Sequence, residues 1–188
     1  MLDCATPVQG PGNYRALKIA LKTVKTCTEN RLLELSQKII EIVAIRLDAF
    51  KKSQDECNIL NVTSVTIEYY TIRVYLAWLQ GRLDIAEHLF SQIPDTIPIQ
   101  KQKGLCELCY RIGSSTLGDH QYNTSAKWLQ RALDTYHHDG TNDDKEALQY
   151  AKVLVLHASV RANLHLEGSD CQDRLTRSLQ ALRKVTDF

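Results

Sequence analysis

Residues 78–90 read WLQGRLDIAEHLF, and residues 113–132 read GSSTLGDHQYNTSAKWLQRA. In the first stretch Ala86 has Gly81 five residues before it, Leu83 three before, Phe90 four after and Ile93 seven after. In the second, Ser125 has Gly113 twelve before, Tyr122 three before, Leu129 four after and Ala132 seven after. A small residue framed by bulky apolar ones at helical spacing marks a close crossing of two helices, and the polar turn ahead of it joins them. Each copy therefore predicts a helical hairpin that cannot bury its own apolar face, and repetition supplies the missing neighbour.

Outward from these copies the chain reads as helix throughout. Its four prolines stand at Pro7, Pro11, Pro94 and Pro98, which leaves two long stretches free of the strongest helix breaker. No alternating strand pattern competes. Gly81, Gly118, Gly140 and Gly168 fall between periodic apolar segments, where a helix end commonly takes a left-handed residue. The spacing predicts helices over 13–29, 31–57, 62–80, 82–93, 99–118, 119–137, 143–167 and 170–186. The expected fold is all-α, an α-solenoid of antiparallel helix pairs with about eight helices. Residues 1–12 are expected to form a flexible tail and residues 13–188 a repeat domain belonging to a longer solenoid. The last helix carries Leu175, Leu179, Leu182 and Val185 on one stripe, where the free end of an array wants a polar face.

Two helices carry further information. In LLELSQKIIEIVAIRLDAF (32–50), Leu32 and Ile39, Leu35 and Ile42, and Val43 and Phe50 mark three apolar stripes. This predicts a helix wrapped by neighbours. The helix before it sets Arg15, Lys18, Lys22 and Lys25 beside an apolar stripe of Leu17, Leu21 and Val24. Such a basic row suits a solvated face, with a phosphate or an acidic partner as the functional alternative.

The bulk numbers exclude several functions. With 188 residues, 44% of them apolar, the chain can bury a core. Its 23 Lys and Arg against 22 Asp and Glu give a net charge of +1, which argues against direct nucleic-acid binding. No apolar run is long enough to span a membrane, and the first residues lack a signal-peptide pattern. The six cysteines are scattered, as in a reducing compartment. Cys106 and Cys109 form a C-x-x-C, but no second such pair completes a zinc set. In LCELCYRI the pair falls among Leu105, Leu108 and Ile112 on an apolar helical stripe, so both read as buried structural thiols and no metal or cofactor is expected. His137 and His138 are adjacent, and His157 and His165 lack ligand-spaced partners. Asn61 and Asn123 begin glycosylation-like triplets that read as chance matches. No phosphate-binding glycine loop, G-x-S-x-G or H-E-x-x-H occurs, and no catalytic residue is assigned.

Both copies resemble tetratricopeptide repeats. Their anchors lie 39 residues apart, more than the about 34 of that repeat, and the loop-forming IPDTIPIQKQK (93–103) accounts for the excess. Val74 replaces Gly113 in the first copy, and Arg73 stands where an aliphatic is usual. More particularly, EYYTIRVYLAWLQGRLDIAEHLF (68–90) and LCELCYRIGSSTLGDHQYNTSAKWLQRALDTY (105–136) resemble the helical repeats of the meiotic family called Zip-four or Spo-twenty-two in yeasts, with testis-expressed relatives in animals. The cues are Trp78, Gln80-Gly81-Arg82, Ala86-Glu87-His88, Lys127-Trp128-Leu129 and Arg131-Ala132. The resemblance implies a non-catalytic nuclear scaffold on meiotic chromosomes. It would promote synapsis and crossovers by linking recombination proteins to the chromosome axis.

In tetratricopeptide arrays the inner face of each first helix lines a groove. Carried over by the two anchors, those positions are Glu68, Thr71, Tyr75 and Trp78, then Glu107, Tyr110, Ser114 and Leu117. The face suits an amphipathic or extended protein segment with Lys or Arg at its edges. A peptide-binding repeat module outside meiosis is the alternative. A chaperone-tail clamp does not fit, because Thr71, Tyr75, Tyr110 and Ser114 stand where it needs Lys and Asn.

Overall fold

The computed structural model describes residues 12–52 and 59–135, together with Val153 and His157. Among these residues the chain is all-α and contains no strand: α1 (Gly12–Glu29), α2 (Leu33–Lys52), α3 (Ile59–Leu79), α4 (Leu83–Phe90), α5 (Ile99–Gly118) and α6 (Tyr122–Thr135). They match the first six expected helices. The seventh and eighth, with the stripe from Leu175 to Val185, lie outside the described residues, as do Gly140 and Gly168. Val153 and His157 alone are described there, both helical and buried. The chain divides into two compact units, Met1–Ile97 and Pro98–Phe188.

In the first unit α1 pairs with α2 and α3 with α4, and α3 also packs on both α1 and α2. The shared core contains Leu17, Leu21 and Val24 from α1, Ile40, Val43, Leu47 and Phe50 from α2, and Val65, Tyr69, Ile72 and Leu76 from α3. In the second unit α5 pairs with α6. There Leu105, Leu108, Cys109 and Ile112 of α5 are buried, as the apolar stripe predicted, and so are Trp128, Leu129 and Ala132 of α6.

The three hairpins are closed by one kind of turn. A single residue of positive φ follows each first helix: Arg31 (φ 61), Gly81 (φ 74) and His120 (φ 59). The next amide reaches back five residues, Leu32 to the Cys27 carbonyl at 2.9 Å, Arg82 to Ala77 at 2.9 Å and Gln121 to Thr116 at 2.8 Å. This satisfies carbonyls that a helix end otherwise leaves bare. The same residue then opens the second helix, its own carbonyl accepting from Ser36, Ala86 or Ser125 at 2.9, 3.0 and 2.9 Å. Gly81 fits the expectation of a left-handed glycine, but Gly118 does not. Gly118 is the last residue of α5, and His120 takes the left-handed position in its place.

The turn reveals a third copy of the repeat. Ser36 lies five residues after Arg31, as Ala86 does after Gly81 and Ser125 after His120. All three small residues are fully buried. Around Ser36 stand Val24 twelve before, Leu33 three before, Ile40 four after and Val43 seven after, in the register of the other two. The reading of α2 as wrapped on several sides is corrected. Val43 and Phe50 are buried, whereas Leu32, Leu35 and Ile42 are about half exposed and Ile45 is 73% exposed. One side of α2 meets α1 and α3, and its opposite side is apolar and open.

Candidate protein-interaction face

In the second unit the crossing that the small residues predict is a close one. Ser125 Oγ donates to the Gly113 carbonyl at 2.6 Å. A methyl group at Gly113 would lie 2.7 Å from Leu129 Cγ and 3.3 Å from the Leu129 amide nitrogen. At the matching place in α3, Val74 is fully buried. These contacts fix the rotation of each first helix, and the rotation decides what its other side presents.

The eight positions assigned to the groove are distributed over α3 and α5. On α3, Glu68, Thr71, Tyr75 and Trp78 are all partly buried. The Thr71 hydroxyl donates to the Ile67 carbonyl at 2.7 Å, so it is engaged by its own helix. Tyr75 and Trp78 stand one turn apart with ring centroids 5.7 Å apart and tilted by 32°. On α5, Glu107 is exposed and pairs with Arg111 one turn on. Tyr110, Ser114 and Leu117 are partly buried. Tyr110 and Leu117, with Tyr122, pack on Ala126 and Leu129 of α6, so these two side chains serve the hairpin itself as well as its surface.

The charges near α3 are arranged in a way that the sequence did not disclose. The first hairpin is offset from the second by 50 residues at the anchors, so Lys18, Lys25 and Thr28 take the places of Glu68, Tyr75 and Trp78. Lys18 is held above the usual lysine range by its hydrogen bond to Tyr14, partly opposed by desolvation, with attraction from Glu68 adding to the rise. Its Nζ lies 4.8 Å from the Tyr14 ring centroid. Arg15, Lys18, Lys22 and Lys25 are all exposed. The register is legible from the spacing around Ser36, but Arg31 stands where Gly81 marks the second hairpin and Val24 where Gly113 marks the third, so no glycine signals the first.

The two cysteines of α5 are not placed for thiol chemistry. Cys106 and Cys109 are 3% and 0% exposed. Burial pushes the Cys106 thiol up to about 11 and the Cys109 thiol higher still, which suppresses the thiolate that a nucleophile or metal ligand needs. Among the described residues no cluster of three His, Cys, Asp or Glu could hold a metal ion, and no helix is long and apolar enough to cross a membrane.

Several of the cues that carried the meiotic resemblance fall on structural positions. Gly81 makes the turn, while Ala86, Trp128, Leu129 and Ala132 are buried at the crossings. No curated protein and no solved structure is significantly similar to the chain. A family described as Meiosis protein SPO22/ZIP4 like matches residues 76–187, from the end of α3 through α4, α5 and α6 and on past the described residues. The match takes in more than half of the chain and includes every small-residue and turn feature of its second and third hairpins apart from Val74. The chain therefore belongs to the SPO22/ZIP4-like family of meiosis proteins.

Proposed function

We propose that this chain is a non-catalytic scaffold of meiotic chromosomes, a tetratricopeptide-like stretch of a longer solenoid whose first-helix faces hold segments of protein partners. The family match over residues 76–187 carries the proposal. Membership implies recombination and chromosome-axis proteins as partners and a place in the nucleus, in synapsis and crossover formation. The chemistry of the faces supports binding over catalysis. Tyr75 and Trp78 form a partly buried aromatic pair, and such side chains supply contact area at low entropic cost. The Cys106 and Cys109 thiols are buried and held protonated.

Affinity purification of the tagged chain from meiotic cells tests the proposal, with a Tyr75→Ala, Trp78→Ala variant beside it. Recombination and axis proteins are expected with the wild type and are expected to be depleted with the variant, whose helicity is retained. Recovery of cytosolic chaperones in their place would favour a peptide-binding module outside meiosis. Equal recovery with both chains would move the partner to another face.

A further inference from the structure

Leu32, Leu35 and Ile42 are 52%, 46% and 53% exposed, and Ile45 is 73% exposed. With Ile39, which is partly buried against the core, they run from the residue ahead of α2 to beyond its middle, over about 20 Å. Leu32, Leu35, Ile39 and Ile42 follow one another at steps of three, four and three residues. That is the spacing of a seam that packs against a second helix lying alongside. The core of the unit draws instead on Ile40, Val43, Leu47 and Phe50.

The repeat does not call for this strip. In the register of the anchors, Leu32, Ile42 and Ile45 correspond to Arg82, Gln92 and Asp95 of the second hairpin and to Gln121, Arg131 and Asp134 of the third. Helical hairpins of this kind therefore form with polar side chains at the places where the first is apolar. Nor does the strip widen into a broad apolar surface. On the neighbouring α1, Arg15 and Lys22 correspond to Val65 and Ile72, which α3 turns towards α1 and α2, so the two cations stand on the side of α1 away from α3 and are exposed there. A body wide enough to cover both helices would strip the water from them. What α2 alone offers is on the order of a few hundred Å², short of the roughly 800 Å² that each partner of a stable dimer contributes. That is the footprint of a single helix. The outer flank of the strip is Arg31, Glu34, Lys38 and Glu41, alternating in sign, with an acid three or four residues from each cation. Charge therefore does not select the occupant, and apolar contact does.

We infer that the outer side of α2 docks one amphipathic helix of a partner protein, laid along Leu32 to Ile45, with its own Leu or Ile side chains at steps of three and four and no excess of either charge. This surface is separate from the first-helix groove of the scaffold reading, and the inference does not depend on which segment that groove holds.

A random-peptide phage library selected on the immobilised full chain, and counter-selected on Ile42→Gln, Ile45→Asp, tests this. The substitutions give α2 the residues that the second hairpin carries at those places, and the variant is expected to keep the wild-type melting temperature because both side chains are largely exposed. The enriched peptides are expected to space Leu, Ile or Met by three and four residues without a bias of charge. A synthetic copy is expected to become helical on binding, to bind about tenfold more weakly to the variant, and to hold its affinity as salt rises. Tyr75→Ala, Trp78→Ala is expected to bind it as the wild type does. Failure to enrich any peptide, a consensus without helical spacing, or an affinity that falls steeply with salt would each overturn the inference. Binding lost in Tyr75→Ala, Trp78→Ala and kept in the α2 variant would move the peptide to the groove, which overturns the inference and leaves the scaffold reading standing. A doubling of mass with concentration in sedimentation of the chain alone, removed by Ile42→Gln, Ile45→Asp, would make a second copy the occupant in place of a partner helix.

Discussion

The Ser125 hydroxyl lies 2.6 Å from the Gly113 carbonyl, twelve residues back and on the opposite helix of its hairpin. Helices that meet this closely leave no room for a side chain on one of them. Gly113→Ala gains about 1 kcal/mol of helix propensity but must displace Leu129, at about 1–3 kcal/mol. The expected net result is a loss of up to about 2 kcal/mol in urea denaturation. Gly104→Ala is the control, on the same helix, exposed and with open space around the added methyl. It is expected to stabilise by up to about 1 kcal/mol. Effects of the same sign at both sites would mean that α5 and α6 do not cross closely at Gly113.

The turns give a second pair of opposite signs. Gly81 holds φ +74 with nothing nearby, so Gly81→Ala is expected to cost about 1 kcal/mol through backbone strain alone. His120 adopts the same region with a side chain. His120→Gly is expected to gain about 0.5 kcal/mol, the relief of strain being partly offset by a more flexible unfolded chain. The midpoints of chemical denaturation measure both.

How much of this was legible beforehand depended on which signal each feature left. The pairing of α3 with α4 and α5 with α6 was plain, because Ala86 and Ser125 sit in full apolar frames. The first hairpin carries the same frame around Ser36 but no glycine to signal it, with Arg31 at the turn and Val24 at the crossing. Arg31 and His120 take the left-handed conformation under the constraint of the reach-back hydrogen bond. The open side of α2 was misread for a different reason. Apolar residues at several helical angles imply burial only when neighbours exist to cover them, and the number of neighbours is a tertiary fact. For the candidate face, the identity of Tyr75 and Trp78 was legible, whereas the approach of Lys18 to Glu68 needed the packing of α1 on α3.

Stability should fall as the solution becomes alkaline. A free thiol ionises near about pH 8.5, but folding holds Cys106 protonated up to about 11 and Cys109 beyond that. Above pH 8.5 or so the unfolded chain therefore binds fewer protons than the folded one, and each thiol removes up to about 1.4 kcal/mol per pH unit. Tyr69, also raised by burial, adds to the fall above its ordinary value of 10.0. Urea midpoints across pH 8 to 10.5 measure the slope, and Cys106→Ala is expected to flatten it; an unchanged slope would mean that Cys106 is not held protonated by burial.

The open apolar side of α2 should tolerate charge. Ile42→Lys, Ile45→Lys is expected to change unfolding free energy by less than about 0.5 kcal/mol per site, because both side chains are largely in water already. Light scattering at high concentration is expected to drop. A large loss of stability would mean that this side is covered in the folded protein.

The shortness of α4 has a consequence for how the first unit opens. It is a helix of 8 residues set against an α3 of 21, and among the described residues it packs on no other helix of its unit. Two turns of helix, held by Ala86 and Leu89 and followed directly by a proline-bearing loop, have little to keep them from fraying. Amide protons of α4 should consequently exchange with solvent by local opening, while those of α3, clasped by three neighbours, should wait for the whole unit to unfold. The family match begins at Leu76, so it takes in all of the fast-exchanging α4 but only the last turn of the slow-exchanging α3.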